Sequence, residues 1–182
     1  MSSDDLGEWY DPRAFREASD WKSTGIPAIG LEVLVPDGWW VHTDPEAPAI
    51  ITMICPPGDR PGDFHPTIAL TVEHPPDGLS GIREYTRELV AGIRATLTDA
   101  HVLAIDPLWV GGFEGRRVVT GYRDGTYTLV AQQYWAIADT GVATVFTGTS
   151  SLEQYLWASD IFAHSAAGLT LASSLVRDGE AV

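Results

Sequence analysis

The sequence predicts an α+β fold: a mostly antiparallel sheet of six to eight strands covered by two main helices. Three features carry that expectation. Short apolar runs alternate with a period of two, as half-buried strands do. Asp/Gly turns join them in the second half of the chain. Two longer stretches place apolar residues three and four apart, the helical spacing.

From Ile29 onward Leu31, Val33 and Val35 fall on one face and Glu32 on the other, which predicts a first strand. Pro36-Asp37-Gly38 is a strong turn signal. A second strand opens at Trp39-Trp40-Val41, and its two tryptophans must point to opposite faces. Further strands are expected at Ala49–Ile54 and Thr67–His74. Between them runs a loop over 56–66, too rich in Pro and Gly for anything else.

Ile82, Tyr85, Leu89, Ile93 and Leu97 form an apolar stripe, with Arg83, Glu84, Arg87, Glu88 and Arg94 elsewhere, so a helix is expected over 81–98. A meander follows: Val102–Ile105, Leu108–Val110, Arg116–Tyr122, Thr126–Ala138 and Val142–Thr149 all read as extended. Arg123-Asp124-Gly125 and Asp139-Thr140-Gly141 read as hairpin turns. Ser151-Leu152-Glu153-Gln154 matches a capping box ahead of a second helix at 152–166. The expected stripe of that helix is Leu152, Tyr155, Leu156, Ser159, Phe162, Ala166 and Leu169. One domain over 29–176 results, preceded by an acidic, aromatic arm at 1–28 and followed by a frayed tail at 177–182.

Composition narrows the function. With 25 acidic and 11 basic residues the formal charge is −14, unevenly spread: −11 over residues 1–112 and −3 over 113–182. Such a chain is a poor ligand for bare nucleic acid or anionic membrane, both of which are held by Lys and Arg. The charge serves solubility, and it also suits steering toward a basic partner. No apolar run approaches the roughly 18–20 residues of a membrane-spanning helix. Met1-Ser2-Ser3-Asp4-Asp5 lacks the basic start and apolar stretch of a signal peptide, so a cytoplasmic location is expected. Cys55 is the single cysteine, which excludes an intramolecular disulfide.

No catalytic residue set and no cofactor motif emerges. Gly111-Gly112-Phe113-Glu114-Gly115 lies between strands and lacks the Lys-Ser/Thr of a phosphate loop. His42, His65, His74, His101 and His164 show no pair at the spacing that places two imidazoles on one helix face. Asp59, Asp63 and His65 share the 56–66 loop and are weak candidates for a metal or an acid/base pair. A solvated loop is the preferred explanation for them.

Leu31-Glu32-Val33-Leu34-Val35-Pro36-Asp37-Gly38-Trp39 resembles the opening of the PsbP-like superfamily: apolar strand, Pro, small turn, Gly-Trp. The likeness continues through Pro66–Glu73, Tyr85 on the helix, Val110–Gly115, Gln133 and Trp135, and Phe162–Ser165. That superfamily includes DcrB-like proteins, LpqN/LpqT-type lipoproteins and Eag-type effector chaperones. This chain departs from the lipoproteins in lacking a lipobox cysteine, and from the chaperones in its acidic arm and Pro-rich loop. The resemblance implies a binding protein without catalysis: an adaptor or chaperone for a protein partner such as a secreted effector, with a homodimer left open. An immunity protein that neutralises a basic toxin is the first alternative. A hydrolase using a metal in the 56–66 loop is the second. Trp9, Trp21 and Trp40 are the expected partner-binding residues, since an outward Trp next to an aromatic arm is a ready anchor.

Overall fold

The computed structural model describes residues 21–26, 30–44, 47–55, 64–76, 79, 81–139 and 141–171. These form β1 (Trp21–Ile26), β2 (Leu31–Pro36), β3 (Trp40–Asp44), β4 (Ala47–Ile54), β5 (Thr67–Glu73), α1 (Ile82–Thr96) and β6 (Thr98–Val110). After β6 come β7 (Phe113–Asp124), β8 (Tyr127–Ile137), β9 (Ala143–Ser151), α2 (Tyr155–Ala167) and β10 (Thr170–Leu171). Seven strands make one antiparallel sheet in the order β3-β4-β5-β9-β8-β7-β6. The others make a second sheet, β1-β2-β10.

The chain changes sheets at Pro36-Asp37-Gly38. Trp39 N–H donates to Pro36 O at 3.3 Å, and Gly38 takes a φ of 84°, where a side chain would be strained. Gly111 and Gly112, with φ of 57° and 89°, close the β6–β7 hairpin in the two-residue turn that needs positive φ at both positions.

The main sheet separates two cores. On one face Ile51, Met53, Ile68, Leu70, Tyr134 and Phe146 meet Leu31, Val33 and Val35 of the small sheet and Ala158, Ile161 and Phe162 of α2. Trp39 lies in this core. On the other face Ile82, Tyr85 and Val90 of α1 cover Val118, Trp135, Ala143 and Val145. Trp135 Nε1–H donates to Thr86 Oγ1 at 2.9 Å, pinning α1 to the middle of the sheet.

Three details differ from the sequence reading. Trp21–Ile26, placed there in the arm, pairs antiparallel with β2 and belongs to the second sheet. β6 runs unbroken through Asp106-Pro107, where the sequence predicts a break. As an edge strand it tolerates a proline, and Asp106 is held by Arg117 at 2.8 Å. The buried stripe of α2 is Ala158, Ile161, Phe162, Ser165 and Ala166, while Leu152 and Leu156 are exposed. Phe162 and Ala166 belong to the expected stripe, but Ala158, Ile161 and Ser165 do not; the small Ala158 and Ser165 let the helix approach the sheet. The two capping-box bonds do form, Gln154 N–H to Ser151 Oγ at 3.3 Å and Ser151 N–H to Gln154 Oε1 at 3.2 Å, but they close the turn ahead of α2, whose N-cap is Gln154 itself.

Candidate partner-binding face

Helix α1 packs over β6 and β7 and reaches β8 through Trp135, with Tyr85 extending to Glu73 at the end of β5. The rest of that sheet face carries no other described helix or strand. Two register rows cross it. One runs His42–Thr52–Ala69–Thr147–Gln133, the other Trp40–Ile54–Thr67–Thr149. None of the nine is fully buried, and none is Asp, Glu, Lys or Arg, in a chain whose formal charge is −14. The surface is one of methyl and hydroxyl groups on stiff, mostly β-branched side chains, which lose little rotamer freedom when covered. Gln133 Nε2–H donates to Thr147 Oγ1 at 3.4 Å within the row. Tyr122 borders this face, and burial pushes its phenol ionisation up.

Trp40 stands at the β3 end of the face, 56% exposed, while Trp39 is buried on the opposite side, as strand alternation requires. Trp21 does not share this contact. Its ring packs on His164 of α2 with centroids 4.3 Å apart, beside the other core. Pairing with β2 commits it there. Trp9 lies outside the described residues.

Asp59 and Asp63 also lie outside the described residues. His65 is half-buried, its Nδ1 3.3 Å from Cys55 O. Among the described residues no three His, Cys, Asp or Glu side chains come together as a metal-holding group. Burial raises the Cys55 thiol from 9.0 to about 11, so at neutral pH it is a protonated, weakly reactive group.

Sequence reasoning missed several exposed apolar residues: Leu103, Ile105 and Trp109 on β6, Leu152 in the turn before α2 and Leu156 in its first turn. The odd-numbered apolar residues from Leu103 to Trp109 were a legible signal, hidden by dividing β6 into two short strands. Among the described residues no helix is long and apolar enough to cross a membrane.

No protein-family model matches the sequence, and no curated protein matches it. Solved structures do resemble the fold. LpqN of Mycobacterium tuberculosis, described as involved in cell envelope biogenesis, has a TM-score of 0.65 at 15% identity, over 91% of this chain and 99% of its own. The Ran-binding protein Mog1p of Saccharomyces cerevisiae has a TM-score of 0.61 at 12% identity, over 84% and 95%. The PsbP protein of the cyanobacterium Synechocystis has 0.53 at 12% identity, over 83% and 92%. The fold is PsbP-like. At these identities the likeness is one of architecture, and function must be argued from the surface.

Proposed function

We propose that this chain is a non-enzymatic, cytoplasmic protein-binding adaptor or chaperone that seats a protein partner on the half of its main sheet that no described helix covers, with Trp40 as anchor. The observation that carries this reading is the pair of uncharged rows that run from the β3 end of the sheet, where Trp40 stands, across the face. Interface cores are depleted in charge and enriched in aromatic residues, and here both features coincide in an otherwise acidic molecule. That a protein of the same fold is described as Ran-binding supports a protein as the class of ligand. The Eag-type resemblance makes a secreted effector the favoured partner. Affinity purification of the intact chain from its native lysate tests the reading. A stoichiometric protein partner is expected, and recovery of none would count against it.

The −14 charge favours one second reading, an immunity protein for a basic toxin. On that reading the association rate falls several-fold between low and physiological salt while the dissociation rate changes less. Stopped-flow mixing with the captured partner measures both. An on-rate indifferent to salt leaves the charge as a solubility device.

A further inference from the structure

Helix α1 carries Arg83, Arg87 and Arg94 on its exposed surface. At about 100° per residue the three fall within a stripe about 40° wide. The flank they occupy is fixed by Tyr85, about half a turn round the helix from them, and by Thr86, which lies between the two. Tyr85 looks toward β5 through its bond to Glu73, and Thr86 takes the indole of Trp135 on β8. The arginine flank therefore overhangs β6, the far edge strand.

On the same sheet face β6 presents Ile105, Pro107 and Trp109, register partners of Val118, Arg116 and Glu114. All three are exposed, and Trp109 is 74% so. Arginine and tryptophan are the residues that most often dominate protein interfaces, and here they line one margin together. Lys22, Arg116 and Arg117 are spent in ion pairs with Asp37, Glu114 and Asp106. Arg83, Arg87 and Arg94 make none among the described residues.

We propose that the α1–β6 margin docks a protein segment that alternates carboxylates with apolar side chains. Charge sets the class of occupant: three exposed guanidinium groups with no ion partner among the described residues, beside an indole, complement carboxylates next to an apolar residue. The net charge of −14 does not forbid this, because at physiological salt each charge is screened beyond about 8 Å and the arginines dominate within contact range. That same net charge disfavours a broad anionic membrane, which would face the whole acidic surface. Side chains are the recognising element. Pro107 and two register irregularities spoil β6 as a template for adding a strand. This margin lies across α1 from Trp40, so the molecule has two separate docking surfaces, and the inference does not depend on the first.

The test uses the intact chain and a fluorescently labelled peptide of alternating Glu and Leu, read by anisotropy, with a Lys and Leu peptide as control. The Glu peptide is expected to bind and the Lys peptide to bind at least about tenfold more weakly. Combined Arg83→Glu, Arg87→Glu and Arg94→Glu should weaken the Glu peptide about tenfold or more, and Trp109→Ala should weaken it several-fold. The matching triple Lys variant should retain most of the binding, and Trp40→Ala all of it. All of these positions are exposed, so unchanged circular dichroism and melting temperature should confirm folding. Equal affinity for the two peptides overturns the proposal, as does a charge-reversed triple variant that still binds the Glu peptide. Sedimentation with phosphatidylserine vesicles, lost in the triple variant and unaccompanied by peptide binding, would assign the margin to lipid instead and equally overturn it.

Discussion

Gly148→Val is expected to cost the domain more than any single deletion of an apolar side chain from its surface, because it drives a side chain into the ring of Phe162. A Cβ at Gly148 would run into Cγ, Cδ1 and Cδ2 of Phe162, and Phe162 is fully buried against the sheet. The ring cannot retreat without lifting α2 from Ile161 through Ala166. Overpacking typically costs about 1–3 kcal/mol, and a contact this short belongs at or above the top of that range. A domain of this size has roughly 5–15 kcal/mol in total, so a large fall in the urea midpoint is expected. A double-mutant cycle isolates the cause. With Phe162→Ala in the background the added cost of Gly148→Val should shrink sharply, since the clash has lost its partner. Additive costs would mean that α2 does not rest on β9 where Gly148 lies.

Trp135→Ala is expected to destabilise by about 3–5 kcal/mol. The side chain is fully buried beneath α1, and its indole N–H is satisfied by Thr86 Oγ1, whose own hydroxyl donates to Ile82 O at 2.6 Å. Removal opens a cavity between helix and sheet. Thr86→Val keeps the volume but strands the buried N–H, at about 1–3 kcal/mol. By contrast Trp40→Ala and Trp109→Ala should stay within about ±0.5 kcal/mol, because both rings are largely exposed. Urea denaturation of the four variants separates core tryptophans from surface ones. A Trp135→Ala protein with an unchanged midpoint would mean that α1 does not cover this face.

The periodic elements were readable from residues alone because each has a dominant local cause. The alternation of Leu31, Val33 and Val35, the stripe from Ile82 to Ile93 and the turn at Gly125 all appear in the structure where the pattern puts them. Opposed Trp39 and Trp40 followed from strand geometry alone. Legibility failed where the cause is tertiary. Trp21–Ile26 becomes a strand only because β2 offers it an edge, and Gly25, lying against Leu31 O, reads locally as a breaker. Asp106-Pro107 interrupts no ladder because β6 is an edge strand, and edge status depends on strand order. The face of α2 is set by how closely Ala158 and Ser165 allow the helix to approach, which no count of large apolar residues reveals. The candidate face was half legible. Trp40 could be named from sequence, but that its strand neighbours form uncharged rows depends on the register of five strands, β3, β4, β5, β9 and β8. Trp21, named with it, turned out to serve the opposite core.

The affinity of the captured partner for wild type and Trp40→Ala tests most directly whether the sheet face beyond α1 docks a protein. An anchoring tryptophan is worth about 2 kcal/mol or more, which is about a thirtyfold loss in Kd. The expected result is a loss of that order, with the melting temperature unchanged. A variant that binds as tightly as wild type, or that loses binding only because it has lost stability, would contradict the assignment of this face.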